Sequence, residues 1–279
     1  MRFKKIYLEI TNICNLSCKF CHGTKREKRS LSLDEFKMII KKIKGKCDYL
    51  FFHLMGEPLL HDNIIDFLKI SSSYNFKNII TTNGTLLPLY YKDLAKYIYK
   101  INISLHSYSW NNMDMNLKDY IHKTVIMSKY LSDNKVLVSL RLWNITDDFL
   151  YKDFNDEVLS YLKEEFDSDF IKGRTGYKLK DNIYLEYGDL FDWPDINKDK
   201  NKKSGFCYAL RDQIGILSNG EVVPCCLDAD GVTSLGNIFI DELDDILNSL
   251  KVKEFHDLFS NRILPNDLCK TCGYIKRFD

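Results

Sequence analysis

Cys14, Cys18 and Cys21 fall within eight residues, spaced C-x3-C-x2-C, just behind a short apolar run. That spacing brings three thiolates to one small object. Thiolates hold iron–sulfur clusters, and a complete cuboidal cluster normally takes four of them. Three local cysteines leave one iron for a distant residue, a substrate or a cofactor. The competing chemistry is a structural zinc site, which needs a fourth local Cys or His. His22 is adjacent to Cys21, and an immediate neighbour is poorly placed to join the same tetrahedron.

More cysteines follow near the carboxy terminus: Cys207, the adjacent pair Cys225 and Cys226, and Cys269-x2-Cys272. Gln213–Leu217 and Glu221–Val223 read as a hairpin around Ser218-Asn219-Gly220, with the glycine at a left-handed turn position. That hairpin returns Cys225 to the side of Cys207. A helical stretch, Asp241–Leu258, then brings Cys269 and Cys272 back toward them. Cys47 stands apart and reads as a small buried hydrophobe.

The elements that must position these residues alternate short apolar runs with amphipathic stretches as far as about Tyr187, the signature of β-α units on a parallel sheet. Strands are expected at Ile6–Ile10, Tyr49–Leu54, Asn78–Thr82, Ile101–Leu105, Val136–Trp143 and Ile183–Tyr187. Helices are expected at Asn63–Ser72, Tyr90–Tyr99, Leu117–Leu131 and Asp147–Phe166. A further helix opens at Ser32, with Glu35 in the capping-box position and Phe36, Ile39, Ile40 and Ile43 on its apolar face. Asp167–Lys180 is less regular. Lys198–Lys203 reads as an exposed linker, so a boundary is expected near residue 200, with 1–200 as a core and 201–279 as a small second domain. In parallel α/β barrels chemistry collects at the carboxyl ends of the strands. The cysteine loop, Gly56-Glu57-Pro58, Asn83-Gly84, Ser104 with His106, and Arg141 with Asn144 all fall there.

Lys plus Arg is 40 and Asp plus Glu is 39, a net charge of +1. A nucleic-acid surface would be strongly basic, so none is expected. The local run Lys25, Arg26, Lys28, Arg29 reads as a solvated loop. No secretion signal opens the sequence and no apolar run reaches the roughly 18 residues of a membrane span. Nine cysteines without a secretion signal fit a reducing cytoplasmic setting, where clustered cysteines bind metal more often than they pair.

C-x3-C-x2-C with Phe20 before its last cysteine, close behind a first strand, resembles the radical S-adenosylmethionine (radical SAM) enzymes. The resemblance implies a partial (β/α)6 TIM-like barrel, with SAM chelating the open iron of a [4Fe–4S] cluster held by Cys14, Cys18 and Cys21. Reductive cleavage of SAM then gives a 5′-deoxyadenosyl radical that takes a substrate hydrogen. Met55-Gly56-Glu57-Pro58 resembles the family's G-G-E-P segment, whose backbone holds the SAM amino group. Here Met55 replaces the first glycine. Asn83 and Ser104 would contact the ribose or the methionyl carboxylate. His106 replaces the usual acidic residue of I-S-L-D and serves the ribose, the substrate as proton acceptor, or neither. Arg141 pairs with the SAM carboxylate or with a structural partner, and Phe20 packs near the adenine or in the core.

C-x12-G-x4-C followed by C-x2-C resembles the SPASM/twitch extension of these enzymes. It implies that Cys207, Cys225, Cys269 and Cys272 hold one auxiliary [4Fe–4S] cluster, with Cys226 a spare or alternative ligand. A full SPASM domain has three more cysteines, and seven residues follow Cys272, so the truncated twitch arrangement is expected. Four cysteines also fit zinc. The pattern is similar to the twitch-type dehydrogenases of aminoglycoside biosynthesis. It implies oxidation of a small polar molecule of sugar or cyclitol type, with a flavodoxin- or ferredoxin-type electron donor. A maturase acting on a peptide side chain is the alternative, and the start at strand one counts against it. A non-catalytic metal-binding protein is disfavoured by the polar strand ends.

Overall fold

The computed structural model describes every residue except 168, 201, 203 and 279. The expected linker Lys198–Lys203 therefore lies partly outside the described residues.

Short apolar segments form the strands and amphipathic segments wrap them. In chain order the elements of the first half are β1 (Lys5–Leu8), α1 (Leu33–Ile43), β2 (Tyr49–Phe51), α2 (Ile64–Ser73), β3 (Lys77–Thr82), α3 (Leu87–Leu94), β4 (Ile98–Ser104), α4 (Leu117–Asp133), β5 (Leu137–Ile145) and α5 (Lys152–Phe166). A hairpin of β6 (Ile171–Lys172) and β7 (Gly176–Lys180) leads into β8 (Ile183–Asp189). Then come β9 (Gln213–Ile216), β10 (Glu221–Val223), β11 (Gly236–Asn237), α6 (Leu243–Asn248), α7 (Leu250–Ser260) and α8 (Asp267–Thr271).

β1-β2-β3-β4-β5-β8 lie side by side and parallel, which is the six-strand partial barrel. The sheet does not stop there: β9 pairs parallel to β1, and β10 and β11 continue it antiparallel. The carboxy-terminal hairpin thus extends the barrel sheet along its first edge. Alternate residues of each strand divide between two environments. Ile6 and Leu8, Leu50, Ile80, Ile101 and Ile103, Val138 and Leu140 are buried under the helices in one core. Lys5 and Tyr7, Phe51, Ile79, Lys100, Ser104 and Arg141 face the barrel interior and line a cavity.

Local chemistry sets the element ends. The Ser32 side chain accepts from the Glu35 amide, and the Glu35 carboxylate accepts from the Ser32 amide, the expected capping box. The third helix is shorter than expected and β4 starts earlier, because Asn78 donates to the Tyr97 carbonyl at 2.9 Å and Ile98 already pairs with Asn78. The fifth helix starts at Lys152, not Asp147, after a turn that puts Phe149 at a φ of 56°. The single helix expected over Asp241–Leu258 is two: Ser249 is extended and caps α7 through the Val252 amide. Asp167–Lys180 contributes the β6–β7 hairpin where irregular chain was expected.

Candidate active site

The loop between β1 and α1 carries Cys14, Cys18 and Cys21. Its neck is closed by Asn12, whose amide N–H donates to the Arg29 carbonyl at 3.1 Å and whose Oδ1 accepts from the Arg29 amide at 2.8 Å. Cys14 and Cys21 are exposed and Cys18 half-buried; all nine cysteines are free thiols. Burial pushes the Cys14 thiol up, and pushes Cys18 up to about 11 against an opposing hydrogen bond from Asn111. These are neutral thiols until an iron ion supplies the charge that favours thiolate.

The tips of neighbouring strands hold this loop from below. Gly56 sits at a φ of 80°, and a Cβ there would lie 2.3 Å from the Thr11 carbonyl oxygen and 2.9 Å from that of Ile13. The Glu57 amide donates to the Ile13 carbonyl at 2.9 Å. Glycine is required because the β2 loop presses backbone to backbone on the cysteine loop. The buried Glu57 carboxylate accepts from the Leu59 amide at 3.0 Å and the Asn83 amide at 2.8 Å. Burial pushes its pKa up to about 7. Its side chain therefore fixes two loops, which explains a carboxylate at a strand end. Asn83 donates to Asn15 Oδ1 at 3.0 Å, tying the β3 tip to the cysteine loop.

Phe20, His106 and Arg141 form one layer. The Phe20 ring lies 4.7 Å from the His106 ring, and His106 Nδ1 is 3.0 Å from the Arg141 carbonyl oxygen. Burial pulls His106 down to about 4, so the imidazole is neutral near pH 7 and a weak base. The Arg141 guanidinium is paired with Glu186 across the β5–β8 register at 3.4 Å and stacks 4.3 Å from the Trp143 ring. Of the two partners expected for Arg141, the structural one is present.

Three residues with clear roles escaped sequence reasoning. Glu9 is fully buried and chelated by Arg26, both carboxylate oxygens lying 2.7 Å from Nη2. Its Oε1 also accepts from the Ser218 amide and hydroxyl, and its Oε2 from the Met55 amide. One carboxylate thus joins β1, the cysteine loop, the β2 loop and the β9–β10 turn. An acid inside the apolar run Ile6–Ile10 was the available signal. The expectation of a solvated basic run is corrected accordingly: the Arg26 side chain is only 11% exposed, and Arg29 bonds Glu35 and the Ser218 carbonyl. Asn111 accepts from the Ser17 amide at 3.0 Å, which leaves its amide N–H to donate to Cys18 Sγ at 3.1 Å. Glu186 had no sequence signal; only strand register brings it to Arg141.

The second set of cysteines assembles differently. Cys207, Cys225 and Cys269 pack against the main hydrophobic core, whereas Cys226 lies in a separate cluster with Tyr7, Leu54, Leu217 and Val223. β10 ends at Val223, and the two cysteines follow it in a turn. Burial pushes Cys207 up to about 11 and raises Cys225, Cys226, Cys269 and Cys272. Cys47 is buried, with its pKa pushed up to about 12 by burial.

Both sets face one cavity of about 780 Å³. Its walls include Cys14, Cys18 and Cys21 on one side and Cys207, Cys225, Cys226, Cys269 and Cys272 on the other. Phe20, Gly56, Glu57, Asn83, Ser104, His106 and Arg141 also line it, so every expected site residue reaches this space.

Residues 8–141 match the family model described as radical SAM superfamily, and residues 207–273 match the SPASM model, an iron–sulfur cluster-binding domain. This chain belongs to the radical SAM superfamily. Proteins of similar sequence include a GTP 3′,8-cyclase of Alkaliphilus oremlandii, 34% identical over 114 residues, which are 38% of this chain and 36% of that one. An S-adenosylmethionine-dependent nucleotide dehydratase of Selenomonas ruminantium is 35% identical over 85 residues, 30% of this chain and 31% of that one. The chain therefore matches only about a third of the length of these relatives. Among solved structures, BtrN in complex with AdoMet and 2-DOIA superposes with a TM-score of 0.62 at 19% identity, covering 98% of this chain and 93% of that one. Streptococcus suis SuiB bound to S-adenosylmethionine gives 0.64 at 19% identity, over 98% and 72%. anSMEcpe with bound AdoMet gives 0.67 at 16% identity, over 98% and 86%. These likenesses show the fold.

The residues present fit the cofactors of a radical SAM protein with a SPASM domain: a [4Fe–4S] cluster with SAM, and auxiliary iron–sulfur binding. Three free thiols on one loop leave an open ligand position, and Gly56 lets backbone close under that loop. Among the described residues no three His, Cys, Asp or Glu side chains converge on a point as the ligands of a single ion do. A cuboidal cluster spreads its ligands over its corners and does not need that convergence. No helix of the described chain is long and apolar enough to cross a membrane.

Proposed function

We propose that this radical SAM enzyme dehydrogenates a small polar molecule of sugar or cyclitol type bound between two iron–sulfur sites. The observation that carries the reading is the single cavity walled by two cysteine sets. When bound, a [4Fe–4S] cluster with SAM would supply the hydrogen-abstracting radical and an auxiliary cluster an acceptor for the electron left on the substrate, with the hydroxyl proton passing to water.

Cys14, Cys18 and Cys21 would hold the first cluster, and Cys207, Cys225, Cys269 and Cys272 the second. Cys225 is favoured over Cys226 because it shares the core side with Cys207 and Cys269. Gly56, Glu57 and Asn83 fix the loop against which SAM binds. Ser104, at the β4 tip, offers a hydroxyl to its ribose or carboxylate. Phe20 supplies an apolar wall. Arg141, already paired with Glu186, would line the substrate side of the cavity with Trp143 and Trp193. His106 serves as a neutral hydrogen-bonding wall; as a proton acceptor it is weak. Residues 1–200 would form the core and 201–279 the auxiliary domain. A cytoplasmic flavodoxin or ferredoxin would donate the first electron.

A peptide side chain is the second reading, supported by the fold shared with SuiB bound to precursor peptide SuiA, at a TM-score of 0.55. Anaerobic turnover with reductant and candidate cyclitols or peptides, read by mass spectrometry, separates the two. A product two mass units lighter from a polyol supports the proposal; turnover confined to peptides overturns it.

A further inference from the structure

The cavity continues past the reaction centre to the amino ends of the strands, and its charge there is not balanced. Four cations line the cavity: Lys4, which is exposed, and Lys5, Lys100 and Arg141. Lys100 and Arg141 share Glu186, at 3.3 and 3.4 Å. Lys5 has no such partner: among the described residues no carboxylate lies within ion-pair distance of its ammonium, and the groups that favour its charge are the Cys226 thiol and, after it, Asp212. Lys5 begins β1, where a side chain could turn out to water. Instead its Nζ sits 5.2 Å over the Tyr7 ring and 5.6 Å over the Phe51 ring, one interior layer further up the barrel. Those rings are register partners with centroids 4.8 Å apart.

A second unsatisfied group flanks the same pair. The His53 ring meets Tyr7 edge-on at 5.3 Å, and its Nδ1 is a buried atom with no hydrogen-bond partner. An unpaired polar atom in such a place costs free energy unless something fills it. Burial, and after it the charges of Arg141 and Lys5, keep the His53 imidazole neutral, so its ring can offer an N–H. An ammonium and an imidazole, both unpaired and both on the wall of one cavity, match an anionic oxygen group. Both flank the Tyr7–Phe51 pair, whose rings offer that group an apolar wall.

We infer that Lys5 and His53, on either side of the Tyr7–Phe51 pair, form an anion subsite that takes a carboxylate or phosphate of the substrate. This inference rests on the small-molecule reading of the cavity and narrows its substrate to an acidic or phosphorylated sugar or cyclitol.

The test is calorimetric titration of the cluster-reconstituted, SAM-loaded protein with myo-inositol, myo-inositol 1-phosphate, glucuronate and inorganic phosphate. At least one anionic probe should bind about tenfold or more tighter than neutral inositol, as a charge-assisted contact implies. The tighter of phosphate and carboxylate identifies the group. Lys5→Met should abolish the preference, Lys5→Arg should retain it, and His53→Phe should reduce it. Where Lys5→Met fails to fold, competition on the wild-type protein decides: inorganic phosphate should displace the anionic probe and leave inositol binding untouched. Equal binding of neutral and anionic polyols, or a preference that survives Lys5→Met, overturns the subsite while leaving the polyol reading standing. If no polyol binds but inorganic phosphate does so through Lys5, the subsite stands and the polyol reading falls.

Discussion

The two cysteine sets are built on opposite plans. Cys14, Cys18 and Cys21 are local in sequence, lie on a loop, and owe their placement to contacts from other strand tips. Gly56, Glu57, Asn83 and Asn111 supply those contacts. Cys207, Cys225, Cys269 and Cys272 are spread over some 66 positions, and three of them pack against the hydrophobic core. The first set can gain and lose a ligand partner without disturbing the core. The second is packed against the core through three of its four members. The proposed open reactive site and closed supporting site would call for those two plans.

The difference is most exposed by removing one ligand from each. Cys18→Ala should abolish 5′-deoxyadenosine formation, lower iron from about eight to about four per chain, and leave the melting temperature nearly unchanged. Cys269→Ala should lose a similar amount of iron and melt at a clearly lower temperature. Equal melting of the two variants would erase the distinction.

Gly56→Ala tests whether the loop is held by backbone proximity. A Cβ at 2.3 Å from the Thr11 carbonyl must displace the cysteine loop. Iron at the first site should fall and that at the second should remain, with about 1–3 kcal/mol lost from the left-handed backbone alone. Full iron content in this variant would refute the backbone clamp.

His106 gives a pH-dependent test. Its folded pKa, about 4, lies below the ordinary 6.5 because of burial. The unfolded chain therefore binds the extra proton first, so stability is fully present above pH 6.5 and is lost progressively as pH falls from there to about 4. The full effect is about 3 kcal/mol. The difference in melting temperature between pH 7.5 and 4.5 should shrink in His106→Gln. An unchanged difference would show that His106 stays neutral for no stability reason.

The smallest effect is expected at Asn111. Its N–H donates to Cys18 Sγ at 3.1 Å, and hydrogen bonds to ligand sulfur favour the reduced cluster. Asn111→Ala should make the first cluster harder to reduce and leave the second unaltered, as read by EPR-monitored redox titration. A potential that does not move would remove Asn111 from the tuning set.

Much of the fold and of the site is legible in the amino-acid sequence. The period of apolar residues places β1 to β5 and β8, and the Ser32–Glu35 capping box forms as its spacing predicts. The cysteine spacings and Gly56 mark their site because short-range chemistry leaves short-range patterns. What stays hidden depends on register and long-range packing. Arg141 meets Glu186 only because β5 and β8 align residue for residue. Arg26 is largely enclosed only because β9 and β10 extend the sheet beside β1 and bring Ser218 to Glu9 and the Ala229 carbonyl to Arg26. Asn78 shortens a helix by bonding a carbonyl 19 residues away.

The sequence by itself determined which atoms could do chemistry: three thiols with a vacancy, further cysteines beyond residue 200, and polar residues at strand tips. Only the tertiary structure decided that the two cysteine sets face the same space, that Cys225 and not Cys226 packs with Cys207 and Cys269, and that Lys5 is left without a carboxylate partner inside. Identity and spacing are local properties of a chain. Which charges are paired, and which groups share a cavity, follow from how strands far apart along the chain are brought into register.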